Sequence, residues 1–260
     1  MRILFIGDVV GPIGLRMIKE KVNYFVDKYH IDFVIANGEN ATKGKGLIQS
    51  HYEQMINDGV DVITLGNHYN SKKEITKFID RVDNLIRPAN IRTEFGGVGS
   101  EIYDVDGVSI RVTNLLGVAF MDDEVNSPYL TLLNILEEEE PATIHIVDYH
   151  AEATGDKLAF AHAMDGKVSA VLGTHTHVQT RDYRILENGT AYISDVGMTG
   201  FNEGVIGCSK ETVVRKLIYG ENTKFTAPEE GKGVFSAVVM DFNVYNGKCE
   251  NIFPIYFEEE

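Results

Sequence analysis

Five apolar runs in this chain each stop on residues that bind metals or phosphate, and any fold it adopts must place those five ends. The runs are Ile3-Leu4-Phe5-Ile6, Phe33-Val34-Ile35-Ala36, Val62-Ile63-Thr64-Leu65, Ile144-His145-Ile146-Val147 and Ala170-Val171-Leu172. They lead into Gly7-Asp8, Gly38-Glu39-Asn40, Gly66-Asn67-His68, Tyr149-His150 and Gly173-Thr174-His175-Thr176-His177. Short apolar runs that end on glycine or polar residues read as buried strands. Parallel strands bring their carboxyl ends to one edge of a sheet, where α/β folds hold their ligands. The pattern therefore predicts that residues as distant as Asp8 and His177 meet at one place.

Helical spacing fills the gaps between these strands. After a loop at Gly11-Pro12-Ile13-Gly14, apolar Leu15, Ile18, Val22, Phe25, Val26 and Tyr29 recur on one face. Ser50 with Glu53, and Ser71 with Glu74, have the spacing of capping boxes. Further helices are expected near 127–139, 152–165 and 210–218. The second half adds hairpins: Glu101 to Leu115 around Asp106-Gly107, and Asp182 to Ser194 around Asn188-Gly189. Val234 to Phe242 and Asn251 to Phe257 read as late strands, and Glu258 to Glu260 as a frayed, solvated tail. Strand–helix units followed by hairpins predict an α/β fold of two packed mixed sheets with helices outside, a single domain over 1–260.

The strand ends share a chemistry. Asp8 and Glu39 are carboxylates, His150, His175 and His177 imidazoles, and Asn40 and Asn67 neutral amides. This mixture suits borderline first-row ions such as iron, manganese or zinc, not calcium. Seven donors exceed one coordination sphere, so two ions are expected, with Glu39 central enough to bridge them. His175 and His177 alternate on a segment read as extended, which would aim both at one face. Of the other histidines, His145 reads as structural, and His30, His51 and His162 receive no role.

The bulk composition supports the metals indirectly. The formal net charge is −15, which repels long polyanions and leaves no basic stripe for duplex nucleic acid. A small phosphate ester remains open if the site supplies positive charge. Two divalent ions against two carboxylates leave a surplus that does so. The cysteines, Cys208 and Cys249, fit no zinc or redox spacing and read as reduced thiols. No run is long enough for a membrane span or a signal-peptide core, so a cytoplasmic protein is expected. A homo-oligomer stays open.

Taken together, the five ends resemble the calcineurin-like metallophosphoesterases. Val10 departs from that pattern where a histidine is usual, and Glu39 where the bridge is usually aspartate. Both departures match the YmdB-like phosphodiesterases, as do Ile6 to Gly11, Asn37 to Ala41, His150 to Thr154, Gly173 to Thr180 and Asp195 to Gly200. The resemblance implies a four-layer α/β/β/α sandwich, an iron-containing di-metal centre and activity on 2′,3′-cyclic nucleotides and other phosphodiesters. It also implies that Asp8, Glu39, Asn40 and His177 hold one ion, and Glu39, Asn67, His150 and His175 the other.

The expected mechanism is attack on phosphorus by a hydroxide held between the ions, with His68 as the acid for the leaving oxygen. Lys43 and Lys45 in Thr42 to Gly46, and Phe201 as a base-stacking ring, are the candidate substrate contacts. Two other readings stand beside this one. The same centre could serve a phosphomonoesterase or phosphoprotein phosphatase, or the chain could be a regulatory metal-binding protein with little turnover.

Overall fold

The computed structural model describes residues 1–260. In chain order the elements are β1 (Arg2–Ile6), β2 (Asp8–Val9), α1 (Gly11–Tyr29), β3 (Phe33–Asn37), α2 (Gln49–Asn57), β4 (Val62–Thr64), β5 (Leu85–Ile86), β6 (Ser100–Val105) and β7 (Val108–Leu116). There follow α3 (Pro128–Glu138), β8 (Ile144–His150), α4 (Thr154–Met164), β9 (Ala170–Thr174), β10 (Arg184–Ile185), β11 (Ala191–Ile193), β12 (Met198–Phe201), α5 (Lys210–Leu217), β13 (Gly233–Phe242) and β14 (Cys249–Glu258).

Two mixed sheets result. The first runs β2-β12-β13-β1-β3-β4-β5, with β14 added on β13; the second runs β10-β11-β9-β8-β7-β6. Strands β1, β3, β4 and β5 are mutually parallel, and so are β7, β8, β9 and β11. All five of the apolar runs lie in these two parallel sets.

Strand alternation sorts the side chains into layers. Ile3, Phe5, Phe33, Ile35 and Val62 of the first sheet meet Ile110, Val112, Ile144, Ile146 and Leu172 of the second in a central apolar slab. The opposite faces pack on helices. Leu4, Ile6, Val34 and Ala36 lie against Ile18 and Val22 of α1 and Met55 of α2. Val147, Tyr149 and Val171 lie against Leu132 of α3 and Phe160 and Met164 of α4. The result is a four-layer α/β/β/α sandwich. Burying a leucine, isoleucine or phenylalanine in these layers contributes roughly 1.5–3 kcal/mol each.

Several local readings change. The expected loop at Gly11 to Gly14 is the first turn of α1, because Pro12 sits where a helix needs no N–H. Ser50 lies inside α2 and caps nothing; the free Gln49 N–H is taken instead by Glu74, 3.1 Å away. Glu74 is thereby drawn away from the Ser71 box, and a short 3-10 turn over Lys73–Lys77 replaces a helix there. The Asp106-Gly107 hairpin forms as read, both residues having positive φ (51° and 80°). The second hairpin shrinks to β10 and β11, because the Asp182 carboxylate turns to the Ser194 N–H and hydroxyl. The C-terminal tail is anchored: both Glu259 oxygens accept from Arg16, at 2.5 and 2.7 Å. No helix is long and apolar enough to cross a membrane.

Candidate metal centre

The parallel strands of both sheets end on the same side, and their terminal side chains meet between the sheets. Glu39, His150 and His175 offer ligand atoms that all lie within 4.8 Å of one another. His150 Nε2 stands 3.0 Å from His175 Nδ1, 3.2 Å from Glu39 Oε1 and 3.2 Å from Asn67 Oδ1. The same Glu39 oxygen accepts from Asn40 Nδ2 at 2.9 Å, and Asn40 Nδ2 lies 3.2 Å from His177 Nε2. His177 Nε2 is 3.7 Å from Asp8 Oδ1, and His150 Nδ1 is 4.0 Å from the same atom. All seven expected ligands are therefore brought together, in two groups that share Glu39.

Close packing at this edge depends on glycine. A Cβ on Gly66 would lie 2.3 Å from Glu39 Oε2 and 2.6 Å from the His150 ring. His175 and His177 do not lie on an extended segment. Their φ angles are 105° and 67°, a conformation unfavourable for side chains with a Cβ. The kinked path is held between them: Thr176 donates its N–H (2.9 Å) and hydroxyl (2.8 Å) to Asp195 Oδ2. Asp195 in turn is paired with Lys157 Nζ at 2.9 Å, both groups buried. The two rings reach the centre, His175 toward His150 and His177 toward Asp8, because the chain turns twice, not because it alternates.

The tautomers are set by the surroundings. His177 donates Nδ1–H to the Ile206 carbonyl at 3.0 Å, leaving the Nε2 lone pair toward Asp8 and Asn40. The second nitrogen of His175, Nε2, faces Glu152 Oε2 at 3.2 Å, a contact the sequence reading missed.

Without a cation, the buried groups of the centre compensate one another. Burial alone would raise the Glu39 carboxyl, but the neighbouring His150 charge holds it well below its ordinary range. Burial alone would lower His150, but Glu39 and Asp8 outweigh it and lift the imidazole to about 9. Burial lifts Asp8, and burial together with His150 pulls His175 down to about 3. Asp8 Oδ1 is a buried carboxylate oxygen with no hydrogen-bond partner. An orphaned buried anion of this kind calls for a cation. Donor atoms about 2.1 Å from one ion and at right angles lie roughly 3 Å apart, the spacing of His150 Nε2 from the His175, Glu39 and Asn67 atoms. The residues present fit divalent metal.

Substrate-side residues differ from the sequence reading. A cavity of about 340 Å³ opens on the centre, lined by Glu39, Asn40, His68, Glu152, His175 and His177, with Val10, Ile206, Cys208 and Phe225 as its apolar wall. His68 is half-buried at its edge, its N–H donating to Glu39 Oε2 at 2.9 Å. Burial lowers the His68 imidazole pKa, opposed by the Glu39 charge and assisted by Lys45. Asp123, unnoticed in the sequence, lies near enough to His68 to feel its charge. Lys43 and Lys45 are exposed, and Gly44 between them lines the cavity. Phe201 packs against Gly204, Gly231 and the first-sheet core, and is not in the cavity wall; Phe225 is.

This arrangement has close counterparts. Residues 4–255 match the family described as YmdB-like protein. The chain belongs to the YmdB-like family. A Bacillus subtilis (strain 168) protein named 2′,3′-cyclic-nucleotide 2′-phosphodiesterase is 45% identical over 261 residues, covering 100% of this chain and 98% of its own. A crystal structure of a hypothetical protein from Thermus thermophilus superimposes with a TM-score of 0.93 at 41% identity, over 100% of both chains. A structure described as a novel phosphatase from Mycoplasma pneumoniae gives a TM-score of 0.94 at 36% identity, over 100% of this chain and 94% of that one. With these YmdB-like relatives, the chain is a hydrolytic enzyme of the phosphoesterase type.

Proposed function

We propose that this protein is a metal-dependent phosphodiesterase acting on small phosphodiesters, 2′,3′-cyclic nucleotides first and 3′,5′-cyclic ones second. The observation that carries the proposal is the orphaned Asp8 Oδ1 facing His177 and His150, beside the Glu39–His150–His175 cluster. The name of the Bacillus subtilis relative supports the substrate class. Both sheets contribute side chains to the centre, which supports reading 1–260 as one domain.

Asp8, Glu39, Asn40 and His177 would hold one ion, and Glu39, Asn67, His150 and His175 the other. Iron is the first choice and manganese or zinc the next, since imidazole and carboxylate donors suit all three. Bound there, divalent ions would neutralise phosphate charge and acidify water toward neutral pH.

The protein's own groups do the rest. His68 is fixed by its N–H bond to Glu39, which puts its imidazole beside the centre without making it a ligand. Burial keeps the His68 imidazole neutral near pH 7, and its N–H hydrogen-bonds to the departing oxygen and holds the charge that develops there; the protonated ring, where present, gives that oxygen its proton. The Val10, Ile206, Cys208 and Phe225 wall excludes water from one side of the cavity and gives a nucleobase a ring to stack on. The acidic surface, with net charge −15, favours a small substrate over a long polyanion.

Hydrolysis of 2′,3′-cyclic AMP, bis-p-nitrophenyl phosphate and p-nitrophenyl phosphate, each with and without chelator, tests this reading. Chelator-sensitive turnover of the two diesters is expected. Turnover of the monoester alone would point to the phosphomonoesterase reading, and no turnover of any to a regulatory metal-binding role.

A further inference from the structure

The inward-facing rows of four parallel strands change character at their carboxyl ends. Phe33 and Ile35 give way to Asn37, Val62 to Thr64, Ile144 and Ile146 to Asp148, and Leu172 to Thr174. All four polar side chains are wholly buried. The apolar slab between the sheets thus ends in a polar plug just beneath the metal centre.

Asp148 accepts from the other three. Its Oδ2 takes hydrogen bonds from Asn37 Nδ2 at 2.9 Å and Thr64 Oγ1 at 2.6 Å, and its Oδ1 takes one from Thr174 Oγ1 at 2.6 Å. Asn37 and Thr64 are paired neighbours in the first sheet. His150 and Thr174 are paired neighbours in the second. One carboxylate therefore ties the two sheets together at the edge that carries the ligands.

Each link continues to a candidate ligand. Asn37 Oδ1 accepts from the Glu39 N–H at 3.1 Å, and Asn37 Nδ2 also donates to the Leu65 carbonyl at 3.0 Å, at the turn into Gly66-Asn67. The Thr174 hydroxyl proton is committed to Asp148, so its oxygen is left to accept His150 Nδ1–H, 2.9 Å away. That bond uses His150 Nδ1–H and leaves Nε2 facing Glu39, Asn67 and His175. Thr174 directly precedes His175.

A carboxylate in this place is costly. An apolar side chain would continue the Ile144–Ile146 row and fill the slab without desolvating a charge. Its value must lie in what it orients.

We propose that Asp148 is a positioning residue that holds Glu39, Asn67, His150 and His175 in the geometry that takes a divalent ion. It acts on His150 through Thr174 and on the first sheet through Asn37 and Thr64. The proposal rests on the two-ion reading above.

The test measures manganese(II) affinity by competition with a chelating dye for the wild type, Asp148→Asn, Thr174→Val and Thr174→Ser. The melting temperature of each metal-free protein is recorded alongside. Asp148→Asn and Thr174→Val are expected to weaken one of the two ions roughly 10–100-fold, the range for lost partners of metal ligands. Thr174→Ser keeps the hydroxyl and is expected to recover wild-type affinity. A folded Thr174→Val protein that binds both ions like wild type overturns the proposal, as does a serine variant no better than valine. Should Asp148→Asn fail to fold, the Thr174 pair decides alone. A wild type that binds no manganese would instead sink the two-ion reading, and so is distinguishable from failure of this one.

Discussion

His68 is the residue whose position says most about the chemistry. Its backbone is tied to Glu39 while its ring stands in the cavity wall, outside the cluster of proposed ligands. His68→Ala is expected to lose about 10²–10⁴-fold in kcat and to keep its full metal content by elemental analysis. His175→Ala is expected to lose metal, because its Nδ1 is one of the converging donors; a fully loaded variant would remove it from the ligand set. His145 makes a separate prediction about stability. Burial holds its imidazole near 3 in the folded protein, against an unfolded value of about 6.5. The unfolded chain therefore binds the extra proton, and stability is whole above pH 6.5 and falls as pH drops from there toward 3. His145→Gln, which can still pair with the Thr113 hydroxyl, is expected to lose less unfolding free energy than wild type between pH 7.5 and pH 5.5, by about 1 kcal/mol, as extrapolated to water from urea denaturation. An equal loss in both would contradict this. At this scale the cluster of strand-end donors was legible because donor types stood out against apolar runs. Glu152, Asp148 and Phe225 were not, since a carboxylate or a ring in a mixed string carries no signal until the fold places it.

Among the elements, the segment from Thr174 to His177 shows where pattern reading fails. A histidine pair two apart looks like strand alternation, but Asp195 captures Thr176 and forces two left-handed turns. The determinant sits far along the chain and no local period announces it. Helix ends failed for the same reason: Glu74 reaches back to Gln49, and the capping boxes at Ser50 and Ser71 lose to that tertiary contact. Segment 219–231 has no regular structure, yet it delivers Phe225 to the cavity. Phe225→Ala is expected to raise KM for 2′,3′-cyclic AMP roughly tenfold, in line with about 1–3 kcal/mol per stacked base. It should leave KM for methyl p-nitrophenyl phosphate nearer to wild type. Phe201→Ala, whose ring packs on the core, is expected to lower melting temperature rather than shift KM.

At the scale of the molecule, the two-sheet sandwich explains why candidate ligands scattered from Asp8 to His177 meet in one place. Parallel strands in both sheets point the same way, and the slab between them closes before the ends are reached. That architecture was readable from five apolar runs and their endings; the mutual register of the sheets was not, because it is fixed by buried side chains such as Asp148 that join them. The central proposal is that this edge would hold two divalent ions, with Glu39 among the ligands of both, and that phosphodiester hydrolysis depends on them. It is tested most directly by titrating manganese(II) into metal-free protein while following hydrolysis of 2′,3′-cyclic AMP. The account expects no turnover in chelator and a rate that saturates at two ions per chain. Full turnover without metal, or a plateau at one ion, would contradict it.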